Sequence, residues 1–391
     1  MNALLVLNAG SSSLKFGVFP ADDGAALLSG QIDAIGIAPR LNALKGDEHF
    51  DEAVPEVAGH ACAHEEALAW LLDWLDDHLS ALHLVAAGHR VVHGGSRFSA
   101  PVRIDDTVLA ELEALVPLAP LHQPHNLRGM RALAAQLPEL PQVACFDTAF
   151  HHTQDARAAA FALPRALTDE GLRRYGFHGL SYDYVSTQLP AVLGERAAGR
   201  VIVAHLGAGA SLCGMLERRS VATTMGFTAL DGLMMATRPG SLDPGVLLYL
   251  MDHQGMDVAQ LNKLLYHQSG LLGVSGVSAD MRMLLASDVP AAAKAVELFC
   301  YRAAREIGSM MAALGGLDAI AFTAGIGEHS APVRARICEL MGWAGVRLDA
   351  APNQAHATRI EATDSTIAVA VVATDEEAMI ARYTRNLLQA S

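Results

Sequence analysis

A chain of 391 residues, 51% hydrophobic and 18% charged, is long enough for two domains and too apolar to be disordered. Its net charge of −14, with no basic cluster to offset it, argues against nucleic acid or an anionic membrane as partner. No apolar run reaches the length of a membrane span, and because an apolar strand opens at once no secretory leader is expected. The five cysteines (Cys62, Cys145, Cys213, Cys300, Cys338) lack a C-x-x-C pair and read as reduced, buried thiols, so the chain is expected to be cytoplasmic.

Residues 3–19 run from an apolar strand through Asn8-Ala9-Gly10-Ser11-Ser12-Ser13 into an alternating strand, Leu14, Phe16 and Val18 against Lys15 and Gly17. This is a β-hairpin whose small, hydroxyl-rich turn and neighbouring lysine suit an anion. Residues 20–60 show no clear period and carry no assignment. Ala67, Leu68, Leu71, Leu72 and Leu75 recur at helical spacing across 63–79. A strand over 85–93 runs into Gly94-Gly95, Pro124 opens a helix, and 142–146 is a short buried strand ending at Asp147, where a first domain closes. Ser181 reads as an N-cap for a helix through Leu189. Residues 201–216 repeat the opening device, with Gly207-Ala208-Gly209-Ala210-Ser211 between two apolar strands. Asp243-Pro244 is a strong helix start, and 291–314 reads as a long, buried helix. The strand at 319–323 meets the glycine turn 324–329 before a helix; a last strand at 366–373 precedes a C-terminal helix opened by Asp375. Alternating strands and helices make an α/β protein.

Neither G-x-x-x-x-G-K-[ST] nor a G-x-G-x-x-G after a strand is present. Two anion-type hairpins about two hundred residues apart and a late strand–glycine turn instead resemble the actin/sugar kinase/heat-shock chaperone ATPase superfamily. That skeleton implies two ribonuclease-H-like domains with a cleft between them. The expected division is 1–148 plus 375–391 for one domain, and 149–374 for a nucleotide-binding domain.

Some residues draw attention by themselves. Arg90 ends an apolar strand, and its planar fork suits a carboxylate or a structural ion pair equally. Asp147 at a strand end reads as a turn cap. His178 lies between glycines, and Arg238 sits on a Pro/Gly loop. His60 with His64, and His122 with His125, lack further ligands for zinc.

Eight separated blocks extend the likeness: LNAGSSSLKF, GHRVVHGG, CFDTAFH, RRYGFHGLSY, HLGAGAS, MGFTALDGLMMATRPGSLDPG, AGIGEHS and TDEEAMIAR. In this order they resemble the acetate/propionate kinase family. The resemblance implies reversible, direct in-line phosphorylation of acetate to acetyl phosphate, with ATP/ADP as co-substrate, Mg²⁺ (or Mn²⁺) as metal, and a homodimer. It implies acetate binding by Arg90, catalytic roles for Asp147, His178 and Arg238, and metal contacts at Asn8 and Glu376. Because acetate is already anionic, Asp147 is read as positioning metal and substrate rather than as an obligatory base. ATP falls to Lys15, to the turn His205, Leu206, Gly207, Ala208 and Gly209, to Asp280, Met281 and Arg282, and to Gly325, Ile326, Gly327, Glu328 and His329. Val92, Leu121, Phe177 and Ala229 are expected around the acyl methyl group. Departures are Ala208 for the usual asparagine, Ala229 for proline, and Pro239-Gly240-Ser241 after the arginine. A propionate or other short-chain acyl kinase is the alternative enzyme. A non-catalytic nucleotide switch is the alternative of another class, and it would need no carboxylate anchor.

Overall fold

The residues at 3–7 are all buried, so the opening apolar run becomes a central strand. In the computed structural model this is β1 (Asn2–Ala9), returning antiparallel as β2 (Leu14–Pro20), with Leu7 opposite Phe16 and Asn8 opposite Lys15. The structure describes residues 1–10, 12–55, 62–79, 81–120 and 122–389; Ser11, His60 and Leu121, named above, lie outside these. The unassigned stretch after β2 is a meander of three strands, β3 (Leu28–Asp33), β4 (Arg40–Lys45) and β5 (Glu48–Ala53). Its period was hidden because each strand is short: β4 turns only Leu41 and Ala43 inward, and β5 offers only Phe50 as a large apolar side chain. The sheet is completed by β6 (His83–Val91), β7 (Val102–Arg103) and β8 (Gln142–Phe146). Among the described residues it has eight strands, in the order β5-β4-β3-β2-β1-β6-β8-β7.

The second sheet holds β9 (Arg200–Leu206), β10 (Ala210–Leu216), β11 (Arg219–Thr223), β12 (Ala319–Thr323) and β13 (Ala368–Val371), in the order β11-β10-β9-β12-β13. The two sheets share one plan. In each, a central strand pairs antiparallel with the next, which pairs antiparallel with a third, while two later strands add in parallel on the other side. This is the ribonuclease-H-like arrangement, present twice.

The chain divides into two compact units, residues 1–149 with 375–391, and 150–374. The C-terminal helix Glu376–Gln389 belongs to the first because β6 gives it a seat. Gly88 has no Cβ, and one placed there would collide with Thr384 Oγ1 and Ile380 Cγ2 of that helix. Asp375 caps it, accepting from the Ala378 amide at 2.7 Å.

Three sequence expectations change. The glycine turn expected over 324–329 is itself a short helix, Ala324–His329. Ser181 is not an N-cap: the helix Gly179–Leu193 begins after His178, which takes a left-handed backbone (φ 59°), and the buried Ser181 hydroxyl bonds His205 instead. A long-range partner has overridden serine's local capping preference. The helix Pro290–Leu314 is not buried all round; Ala292, Ala295, Phe299, Ala303 and Ile307 form its buried stripe, while Tyr301 is half exposed. Among the described residues no helix is long and apolar enough to cross a membrane. The five cysteines are buried and free, and burial pushes the Cys213 thiol up to about 12.

Candidate active site

In the first unit the functional side chains gather where strands β1, β6 and β8 end. Arg90, one residue before the end of β6, donates from Nε and Nη2 to both oxygens of Asp147, the shortest bond being 2.7 Å. Its Nη1 donates to Asn8 Oδ1 at 3.4 Å, and its Nε lies 3.5 Å from Glu376 Oε2. Burial opposes the Arg90 charge, but Asp147 and Glu376 outweigh it and hold the pKa above its ordinary value. The fork expected for substrate is therefore shared. One edge is spent on Asp147, which is 1% exposed, and Nη1 reaches Asn8.

Two features at this end escaped the sequence reading. Glu377, beside Glu376, has its pKa raised by burial and by the Glu376 charge, with Lys15 pulling the other way. The loop after β6 is clamped by the helix Gln123–Gln136: Asn126 accepts from the Val92 amide and donates to the Ala9 carbonyl, while Gln123 accepts from the His93 amide. Gln123 and Asn126, three apart on one helical face and buried, are the polar pair whose spacing could have signalled this clamp.

In the second unit, the three-residue turn between β9 and β10 is closed by Gly207 N donating to Gly209 O. Gly209 matters through what it omits. A Cβ there would stand 2.9 Å from Arg238 Nη2 and 3.1 Å from His178 Nε2, so both side-chain nitrogens converge over this glycine. Arg238 is fixed by donating from Nη1 to the Ala229 carbonyl at 2.8 Å. Among the described residues no carboxylate pairs with it, and burial lowers its pKa while Tyr266 raises it. A partly buried arginine with only neutral partners suits an anionic ligand. His178 stacks on His205, ring centroids 4.0 Å apart.

A cavity of about 680 Å³ adjoins this turn, lined by Gly207, Ala208, Asp280, Met281, Arg282, Gly325, Ile326 and His329, with Ala236, Ala279, Leu285, Ser330 and Pro332. Its size and mixed lining suit a small molecule with an apolar ring. Asp280 caps the helix Met281–Leu285 and pairs with Arg282 through both oxygens; the Arg282 hydrogen bond holds its carboxyl down to about 2. Other expected nucleotide residues do not line the cavity. Leu206 is fully buried in β9, and Gly327 is buried within the helix Ala324–His329. Glu328 turns back, accepting from the amides of Ala324 (2.7 Å) and Thr374 (3.1 Å). Ala324, at φ 65°, is held in a left-handed conformation costly to a non-glycine residue, and the Glu328 bond fixes it there. Lys15 is exposed in β2, in the first unit.

The model of the acetokinase family matches residues 3–382. This chain belongs to the acetokinase family. Similar curated proteins include the acetate kinase of Rhodopseudomonas palustris (strain ATCC BAA-98 / CGA009), 53% identical over 98% of this chain and 97% of its own length. The acetate kinase of Rhizobium meliloti is 50% identical over 100% and 99%. Among solved structures, a propionate kinase from Francisella tularensis superposes with a TM-score of 0.92 at 38% identity, covering 99% of this chain and 100% of its own. Porphyromonas gingivalis acetate kinase gives 0.88 at 36%, with the same coverage. Family membership makes the chain a kinase with ATP/ADP and acetate/acetyl phosphate as its substrate pairs.

Proposed function

We propose that this member of the acetokinase family passes the γ-phosphoryl group of ATP directly to a carboxylate oxygen of acetate, and that the residues above divide the work. The new bond joins the acetate oxygen to the γ-phosphorus, and the bond to the bridging oxygen of ADP breaks. No proton need move, because acetate is already anionic. Arg90 anchors the carboxylate through Nη1, while Asp147 keeps the guanidinium in place rather than acting as a base. The base and ribose occupy the cavity of Met281, Leu285, Ile326 and Pro332, with the phosphates at the 207–209 turn. His178 Nε2 and Arg238 Nη2 hold the equatorial oxygens as charge spreads over them in the transition state. The observation carrying this reading is the convergence of these two donors over Gly209, with Arg238 lacking a carboxylate partner among the described residues.

The donors around Arg90 fit a magnesium ion. Asn8 and Glu376 offer hard oxygen atoms, and the surrounding carboxylates (Asp147, Asp375, Glu376, Glu377) outnumber the cations Arg90 and Lys15. Among the described residues no cluster of three or more His, Cys, Asp or Glu forms a ready-made cage, which suits an ion keeping several waters and ATP oxygens. When bound, Mg²⁺ neutralises charge on the transferring phosphates. We also read the chain as a cytoplasmic homodimer. The helix Pro244–Gln254 has no buried residue and exposes Leu248, Tyr249 and Met251, an apolar face fitted to a second copy.

The test is trapping of acyl phosphate by hydroxylamine from ATP, acetate and MgCl₂. Acetohydroxamate formation supports the reading, and ATP binding without product would favour the nucleotide switch. A parallel run with propionate separates the short-chain acyl alternative.

A further inference from the structure

His178 can act as a donor only if its proton is on the nitrogen facing the Gly209 turn, and the second unit contains a hydrogen-bond chain that decides this. The His178 Nδ1 lies 2.8 Å from Ser211 Oγ, and Ser211 Oγ lies 2.5 Å from the hydroxyl of Tyr182. Tyr182 and Ser211 are both fully buried. Burial raises the Tyr182 phenol well above its ordinary value, so it keeps its proton, and among the described residues its hydrogen-bond partner is Ser211 Oγ. A buried O–H is costly to leave unmatched, so the phenol donates to Ser211. The serine has one hydrogen left, and it goes to His178 Nδ1. A nitrogen that accepts carries no proton, which leaves the proton of the neutral imidazole on Nε2. That atom is the one 3.1 Å from where a Cβ on Gly209 would stand.

We propose that Ser211 and Tyr182 are positioning residues that lock His178 in its Nε2–H tautomer, with the donor turned toward the transferring phosphoryl group. The inference rests on the reading of His178 given above. The same device recurs on the neighbouring ring. Thr374 Oγ1 donates to Ser181 Oγ at 2.8 Å, and Ser181 Oγ lies 2.8 Å from His205 Nδ1, which aims a protonated Nε2 at Gly207, 3.9 Å from a Cβ placed there. This long-range partner is why Ser181 sits inside its helix instead of capping it. The stacking of the two imidazoles keeps both rings in the plane that these hydroxyls demand.

The experiment is ¹⁵N NMR of the full chain labelled at histidine, with the His178 signals identified by their loss in His178→Ala, beside steady-state kinetics. The wild type is expected to show a protonated Nε2 and an unprotonated Nδ1. In Tyr182→Phe the serine is free to accept as well as donate, so the tautomers mix. There kcat should fall about five- to tenfold, with KM for ATP and acetate within about twofold. Ser211→Ala should do the same, and Ser211→Thr, which keeps the hydroxyl, should restore most of kcat. A protonated Nδ1 in the wild type overturns the proposal, as does a Tyr182→Phe protein with unchanged tautomer and kcat. If Tyr182→Phe does not fold, the wild-type spectrum and Ser211→Ala decide. A His178→Ala enzyme with intact kcat would defeat the functional reading of His178 and leave the tautomer result standing, so the two failures are distinct.

Discussion

Replacing Gly209 by alanine is the smallest change that should disturb the chemistry while sparing the fold. Gly209 has no left-handed backbone to strain, so the substitution acts through its Cβ alone. That atom would arrive 2.9 Å from Arg238 Nη2 and 3.1 Å from His178 Nε2, whereas ordinary contact begins near 3.4 Å. The guanidinium must therefore withdraw by about 0.5 Å and the imidazole by about 0.3 Å. Arg238 can swing, because a flexible chain carries its tip. His178 is pinned by Ser211 and by its stack on His205, so the turn itself must give as well. A misplacement of about 1 Å costs on the order of 10²-fold in rate, and outright loss of one such donor costs about 10²–10³-fold. Gly209→Ala should therefore lower kcat by roughly 10- to 100-fold. The crowding also costs stability, about 1–3 kcal/mol as for other overpacked sites, so the melt is needed to show that the protein stays folded. The assay is acyl-hydroxamate formation at saturating ATP and acetate, beside a thermal melt. A kcat within twofold of wild type, with the protein folded, would refute the claim that both donors bear on the reaction from above this glycine.

Arg90→Ala should cripple use of acetate while leaving the Kd for ATP, measured by calorimetry, within about threefold. It should also cost on the order of 1–3 kcal/mol of stability, because Asp147 is left buried without its fork; an equal loss of ATP affinity would contradict the assignment. Arg238→Ala should reduce kcat about 10²–10³-fold with little change in either KM, since its partner is charge that develops during transfer; a pure KM effect would place it in ground-state binding. Glu377 supplies a pH signature. Its folded pKa lies above the ordinary 4.5, so its contribution to stability is full below that value and is lost as pH rises through the folded pKa. Melting curves of Glu377→Gln should therefore show a Tm gain over wild type near about pH 7 that disappears near about pH 4; a gain that does not vary with pH would mean that burial beside Glu376 does not strain this carboxyl.

The legibility of this protein follows the range of its interactions. The hairpins at 3–19 and 201–216 could be read because a hairpin is local: an apolar run, a Gly/Ser or Gly/Ala turn, and a second run lie within twenty residues. Asp243-Pro244 was legible for the same reason. The β3–β5 meander was not, since strands with one or two inward apolar residues carry too little periodicity to stand out. At the site, Arg90, Asp147, Asn8 and Glu376 were picked out singly, and only the fold shows that they share one hydrogen-bonded cluster. The convergence of Arg238 and His178 depends on an absent side chain at Gly209, which no pattern of residue types announces. Ser181 and Ser211 were hidden for a related reason. Their hydroxyls are matched to rings 24 and 33 residues away, so the local preferences that guide sequence reading pointed elsewhere.

The central claim is a single direct transfer, with Arg90 on the acceptor and the donors over Gly209 on the moving group. Its most direct test is the stereochemical course at phosphorus, using ATP made chiral at the γ-phosphoryl group with oxygen isotopes and acetate as acceptor. One in-line displacement inverts the configuration, and inversion in the acetyl phosphate is the expected result. Retention would require a second displacement through a phosphorylated side chain, and it would contradict the account.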